Sequence, residues 1–297
     1  MYERRYGLIR TLAPLHVGAS AGEEAGNLNL IFRDAYTQTG IIPGSSLRGR
    51  FRAEMRRVDD ENRSVSKYWY GSEAGADTDD ISEARVKFEY ASIVWLPVFC
   101  PGQPVVWVSC PRLLRRAANS GLCTVSAKQI EALVNTCSQR ISGADVRTES
   151  EKQVKLFFNL GFLILNRADD EQQNILSSFV PSSFRDEINI SQLVVVDDAS
   201  MGAIHDMALY RQSRVKLKDS EKIVENFFNV EALPEGCMMI FPIAINNHRA
   251  SDQKQHSQSP FDVQGNTEAR SGVEVYFGGL ESIGFGRCFT MINEVEK

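Results

Sequence analysis

The sequence predicts an α+β domain, a sheet with helices set between its strands and long polar insertions. Three observations predict it. Apolar or alternating segments of strand length outnumber segments with a helical rhythm. The helical segments are separated by strand-like ones instead of being gathered in runs. Residues 59–84 and 246–272 are polar, so they contribute little core and read as surface insertions.

Residues 6–13 read as the first strand, ending at PLHVG, residues 14–18. A stretch of small residues follows at 19–26, then an alternating to apolar segment at 27–34. Residues 41–52 read as a tight turn feeding a helix. Pro43 and Gly44 supply the turn, and Ser45 or Ser46 is the expected N-cap. Leu47, Phe51, Met55 and Val58 form an apolar stripe at helical spacing. Arg48, Arg52 and Arg56 line the neighbouring face, with Arg50 and Arg57 beside them. A helix start lined with arginines is a seat for phosphates. It is equally a solvated basic face packed on a core.

The first insertion holds an aromatic knot, Tyr68, Trp69 and Tyr70, read as part of a loop with an acidic tip. Residues 85–96 read as one long strand. Two Gly/Pro turns at 97–104 lead to a strand at 105–109, together a hairpin with a wide loop. Pro111 suits a first helical residue, so 112–118 opens a basic helix. Residues 126–140 have a helical rhythm, 154–165 is strand-like, 176–190 mixes helix and loop, and 193–197 is a short strand. Residues 198–222 lack a clear core periodicity and carry Arg211, Arg214, Lys216 and Lys218 on a hairpin arm. Residues 236–245 form a buried strand, and 273–277 a final one that runs into a glycine-rich segment at 278–287.

The chain has 297 residues and a net charge of -5, which argues against nonspecific duplex binding. Its positive charge is concentrated at 48–57 and 112–116. It has no apolar run long enough to span a membrane and no signal-peptide pattern, so a cytoplasmic protein is expected. The six cysteines form no CxxC pair or zinc pattern and read as reduced, buried thiols. No cluster has metal-ligand spacing, so no structural metal is expected.

The glycine-rich segment is no phosphate loop, because no GK[ST] follows, and it lacks the βαβ context of a dinucleotide fingerprint. Its glycines allow another backbone to approach closely. By itself the segment is equally a sharp hairpin. His16 is either a satisfied histidine at a strand end or an acid–base or phosphate-contacting group, with Glu231 as its acidic counterpart. His205, His248 and His256 lie in polar segments and read as surface residues. The adjacent pairs Glu23–Glu24, Asp59–Asp60 and Asp197–Asp198 read as solvated.

Taken in order, LHVG at 15–18, Arg33-Asp34, IPGSSLRG at 42–49 and GGLESIGFG at 278–286 resemble the RAMP superfamily. These are the RNA-binding subunits of type III CRISPR–Cas effector complexes. LPV at 96–98, SCP at 109–111, LVVVDD at 193–198 and VEALP at 230–234 are similar to the Cmr-type (type III-B) backbone subunit. The resemblance covers residues 1–297 as a single domain. It implies a ferredoxin-like, RRM-related palm with insertions and a thumb-like β-hairpin at about residues 199–222, carrying Met201, Arg211 and Arg214. It implies a groove for CRISPR RNA and target single-stranded RNA, and contacts with other RAMP and Cas subunits. His16, Arg33, Ser45, Ser46, Arg48, Arg50 and Arg52 would line that groove. Gly278, Gly279, Gly284 and Gly286 would bring main-chain N–H groups to the RNA.

One position departs from the family. A catalytic aspartate typically lies six residues before the acid of the Arg-Asp/Glu pair, and that place here is Leu28. The resemblance then implies an RNA-organising subunit that has lost its nuclease. The alternative is a metal-dependent endoribonuclease using Mg²⁺, with Glu23 or Glu24 in the aspartate's place and His16 and Glu231 near the cut site.

Overall fold

The computed structural model describes residues 2–18, 28–59, 64–72, 82–141, 152–159, 161–217, 224–246, 259–261 and 272–295. In chain order these form β1 (Tyr2–Thr11), β2 (Leu28–Asn29), β3 (Ile41–Ile42), α1 (Gly44–Val58), α2 (Ser64–Tyr70), β4 (Val86–Phe88), β5 (Ala91–Cys100) and β6 (Gln103–Ser109). Next come α3 (Pro111–Ser120), α4 (Ala127–Glu131), β7 (Thr136–Cys137), β8 (Gln153–Phe158), β9 (Gly161–Arg167), α5 (Asp170–Ser178), β10 (Leu193–Val195) and α6 (Asp198–Ala208). The last elements are β11 (Tyr210–Leu217), β12 (Val224–Ala232), β13 (Met238–Asn246), β14 (Val273–Tyr276) and β15 (Arg287–Glu294). The result is a mixed α+β chain built on a large sheet.

At the centre of the sheet the strands run β15–β1–β13–β5, each antiparallel to its neighbour. From β5 the sheet continues through β6, β10, β7 and β9 to β8. The Cys100 thiol donates to the Phe157 carbonyl at 3.3 Å, which brings the last strand back against β5. A separate sheet joins the β11–β12 hairpin to β2.

Side chains alternate across the central strands, and this divides the core in two. Ile9, Phe241 and Met239 join Leu47, Phe51 and Met55 of α1 on one face. Leu8, Ile240, Met238 and Val94 join Leu114 and Ala117 of α3 and Leu176 of α5 on the other. The cysteines are packing groups. Burial pushes the thiols of Cys110 and Cys137 up to about 12.

The structure departs from the sequence reading at several places, each with a local cause. Helix α1 starts one residue early. Pro43 is its N-cap, and the Pro43 carbonyl accepts from the Ser46 and Leu47 N–H groups; neither Ser45 nor Ser46 caps it. The aromatic knot is helix α2, whose first turn is capped by Asp59. That carboxylate accepts from the Val65 and Ser66 N–H groups, so Asp59 is not simply solvated. Residues 85–96 divide into β4 and β5, which pair with β13 on either side of Pro242. A proline has no N–H to donate, so the ladder breaks there. The loop at 97–104 is narrow. Its strand continues to Cys100, and the turn is Pro101–Gly102 with Gly102 at φ 80. Residues 154–165 are a hairpin that turns before Gly161 (φ 142). Only residues 127–131 of the 126–140 stretch are helical, opened by a Ser126–Gln129 capping box.

The largest correction concerns residues 199–222. Residues 198–208 are helix α6, capped by Asp197, whose carboxylate accepts from the Ser200 N–H at 2.8 Å. Met201, Ile204 and His205 are its buried stripe, so Met201 belongs to the core and His205 is no surface residue. The hairpin begins at Tyr210 and returns through β12. Lys218, His248 and His256 lie outside the described residues.

The second polar insertion has an apolar anchor. The Tyr70 hydroxyl donates to the Pro260 carbonyl. Phe261 is buried, edge-on to Phe51 with ring centroids 5.9 Å apart. We expect Phe261→Ala to lower stability by about 3–5 kcal/mol, the usual cost of emptying a buried aromatic site. Urea denaturation checks this.

Candidate functional site

Four parts of the chain, distant in sequence, meet at the end of β1. Leu15 exchanges two main-chain hydrogen bonds with Leu233, both 2.9 Å, and this pins residues 14–18 to the end of β12. The glycine-rich segment closes over them. The Gly279 N–H donates to the His16 carbonyl and the Gly286 N–H to the Pro14 carbonyl, each at 2.9 Å. Gly278 has φ 76, and a Cβ there would lie 2.1 Å from the His16 carbonyl oxygen. Only glycine combines that backbone with that approach. The Gly284 N–H donates to Glu281. The N–H groups of Gly279, Gly284 and Gly286, expected to face RNA, are therefore used within the fold.

His16 is buried. Its Nδ1 donates to the Glu231 carbonyl at 2.6 Å, which orients the ring. The absence of a side chain at Gly18 keeps Nε2 clear, because a Cβ there would lie 3.2 Å from it. Glu231 is 3% exposed. Its Oε2 accepts from Arg33 at 3.1 Å and its Oε1 from Arg211 at 3.2 Å. The other end of the Arg33 guanidinium donates to Asp206 at 2.5 Å. Burial works against the charge of Arg33, but Asp206 and Glu231 outweigh it and hold its pKa above the ordinary arginine value.

His205 stands beneath this network. Its Nε2 accepts from the Gly40 N–H at 2.9 Å. Burial and the Arg33 charge push its pKa down to about 4, so the ring is neutral.

The arginines of α1 are also held by the protein. Arg50 pairs with Glu54, which is fully buried, at 2.5 Å, and reaches Glu281 of the glycine-rich segment at 3.6 Å. Arg48 donates to the Tyr70 carbonyl at 2.5 Å and Arg52 to the Gly71 carbonyl at 3.0 Å. These bonds dock α2 against α1. A guanidinium has five N–H donors, so one such bond leaves Arg48 able to meet an outside acceptor. Ser45 is exposed and Ser46 half-buried in the first turn of α1. Arg214 lies on β11 over the Phe228 ring, 5.1 Å from its centroid.

The structure thus gathers His16, Arg33, Arg211, Glu231 and the glycines in one place, with Arg50 tied to their edge. Glu23 and Glu24 lie outside the described residues. Leu28 is held in β2 beside Asn229. Among the described residues no group of three or more His, Cys, Asp or Glu could hold a metal ion. Glu231 and Asp206 both face guanidinium groups, and that donor set fits a fixed ion-pair network rather than the carboxylates and waters that Mg²⁺ takes.

The sequence profile of the RAMP superfamily matches residues 8–289. The chain belongs to the RAMP superfamily. Comparison with curated proteins finds no match. Among solved structures, this RAMP chain is similar to one in the cryo-EM structure of the type III-B Cmr-beta complex bound to cognate target RNA. The TM-score is 0.68 at 18% identity, over 98% of this chain and 97% of that one. It is also similar to oligomeric Cmr4 from Pyrococcus furiosus, with TM-score 0.64 at 18% identity over 100% of both chains. At such identities the likeness is one of fold.

Sequence reasoning missed Asp206 and the buried state of His205 in this RAMP site. The spacing of Asp197 and Ser200 was an available helix-cap signal for α6.

Two outcomes follow from the geometry. Gly278→Ala should cost at least about 2 kcal/mol, through a left-handed φ and a backbone clash, read by thermal denaturation. His205 contributes a pH dependence. Its folded pKa, about 4, lies below the unfolded value of about 6.5. The unfolded chain therefore binds the extra proton, and the contribution is present above about pH 6.5 and lost as pH falls toward 4. The loss is on the order of 3 kcal/mol. His205→Gln, which keeps an acceptor for Gly40, should flatten that slope in urea titrations at pH 7 and 4.5.

Proposed function

We propose that this chain is an RNA-organising backbone subunit of a type III CRISPR effector complex of the Cmr type. In this reading it holds CRISPR RNA by its backbone and shapes the guide–target duplex in antiviral defence. Its partners are the guide, a target single-stranded RNA and other RAMP and Cas subunits, in the cytoplasm. The observation that carries the reading is the convergence of the superfamily's marker segments at one place, beside a hairpin that stands outside the main sheet.

The local geometry suits the task. A guide changes sequence from one complex to the next, so it must be held by phosphate contacts. Arg33, Arg211 and the open start of α1 supply fixed cations and N–H groups. On the hairpin, Val215 and Phe227 stand directly opposite each other and are both more than half exposed. An apolar cross-strand pair of this kind fits between bases, which is the role of a thumb. The antiparallel order β15–β1–β13–β5, with α1 between β1 and β5, supports the ferredoxin-like palm.

The same geometry favours holding RNA over cutting it. Cleavage at a 2′-hydroxyl needs a base for the nucleophile and an acid or metal for the leaving oxygen. Leu28 offers neither. Glu231 is neutralised by two guanidinium groups, and no step through a metal follows from these residues.

The assembled complex, with this subunit in place, should load guide RNA and bind target RNA. Log K should fall by about 0.7 per phosphate contact per unit log salt. Target RNA should stay intact where this subunit covers it. A complex that assembles without RNA contradicts the binding role. Cutting at the covered position that stops with Glu23→Gln, Glu24→Gln or His16→Ala contradicts the absence of a nuclease.

A further inference from the structure

A second site lies on the face of the central sheet opposite α1. Alternation along the strands carries the face under α3 and α5 outward, from Leu8 and Tyr6 to Arg4 on β1 and from Ile240 to Pro242 and Ala244 on β13. Beyond the cover of α3 this face opens into a cleft of about 1070 Å³.

The walls of the cleft carry two arginine–tyrosine stacks. The Arg112 guanidinium lies 4.7 Å from the Tyr36 ring centroid, and that of Arg116 lies 3.8 Å from the Tyr90 centroid. Tyr36 is 79% exposed, so Arg112 leaves much of its ring open to solvent. The turn that presents Tyr36 is rigid. Asp34 Oδ1 accepts from the Tyr36 N–H at 3.0 Å, the Thr37 N–H at 2.8 Å and the Thr37 hydroxyl at 3.0 Å. Asp34 thus builds the turn, and its charge also acts on the nearby Arg112 guanidinium. Glu89 pairs with Arg116 at 3.2 Å, and Lys87 pairs with Glu83. Arg4 donates to the Asn119 carbonyl at 2.8 Å. Among the described residues neither Arg4 nor Arg112 forms a salt bridge. Arg4, Arg112 and an open ring thus share one cleft of a chain whose net charge is -5.

We propose that this cleft binds single-stranded nucleic acid, with one base stacked on Tyr36 and the adjoining phosphates on Arg4 and Arg112. An open aromatic ring stacks any base, and flanking cations follow the backbone. A protein interface would place an apolar core at its centre, whereas two arginine–tyrosine stacks wall this cleft. The site is separate from the His16–Glu231 network. Arg33 turns toward Glu231 while Asp34, the next residue, builds the turn into the cleft.

The test is photocrosslinking of the full chain to an oligouridylate of about eight nucleotides containing 4-thiouridine, with the crosslinked peptides mapped by mass. The proposal expects crosslinks on the peptides that contain Tyr36 or residues 111–120. Tyr36→Ala combined with Arg112→Ala should remove them and weaken binding about tenfold, whereas Tyr36→Phe, which keeps the ring, should retain them. Tyr36 is exposed, so its replacement leaves the core intact. Crosslinks confined to the hairpin or the glycine-rich segment overturn this proposal and leave the proposed function standing. Crosslinks confined to the cleft do the reverse, and none anywhere contradicts both. A double variant that binds RNA normally but fails to join its partner subunits marks the cleft as a protein interface and overturns the proposal.

Discussion

A buried carboxylate must find partners, and Glu231 has recruited them from across the chain. The penalty for an unpaired ion at that depth is several kcal/mol. Arg33, from the segment after β2, and Arg211, on β11, meet its two oxygens, while its own carbonyl holds the His16 ring. Arg33 extends the network to Asp206 at the end of α6. One residue therefore sets the hairpin, the loop after β1 and helix α6 relative to one another. The arrangement also removes Glu231 from acid–base work, because both of its oxygens already accept from fixed cations. The same residue also orients the His16 ring through its main-chain carbonyl.

The same constraint recurs on α1. Glu54 is fully buried and faces Arg50 and Arg57, so those arginines neutralise an internal charge. Arg48 and Arg52 bind the carbonyls that end α2. A helix face that reads as a bare phosphate grip is therefore also the bracket that joins α1, α2 and the glycine-rich segment. Under the proposed function, RNA at its edge would meet an already ordered surface, which lowers the entropic cost of binding. The glycines act the same way. They let two main-chain segments lock together through the Gly279 and Gly286 N–H groups.

The sequence made the α+β class legible, along with the apolar stripe of α1, the start of α3 at Pro111 and the grouping of His16, Arg33, Glu231 and the glycines. Strand breaks were less legible. The division of 85–96 is imposed by Pro242 on a neighbouring strand, some 150 residues away, and no local pattern reports it. Helix α6 was hidden because its third buried position is a histidine. The buried His205 ring accepts from Gly40, a contact that exists only in the folded chain. The partners of Arg48, Arg50 and Arg52 were illegible for the same reason, since a basic stripe looks alike whether its donors meet water, phosphate or a carbonyl.

The central claim is that Glu231 is a structural charge in a site that holds RNA without cutting it. A cryo-EM structure of the assembled complex with guide and target RNA bound, in Mg²⁺, tests this most directly. The account predicts that Glu231 keeps both guanidinium partners while RNA lies along the start of α1 and the β11–β12 hairpin. Glu231 released from Arg33 and Arg211, and ligating a metal ion at a target phosphate, would contradict it.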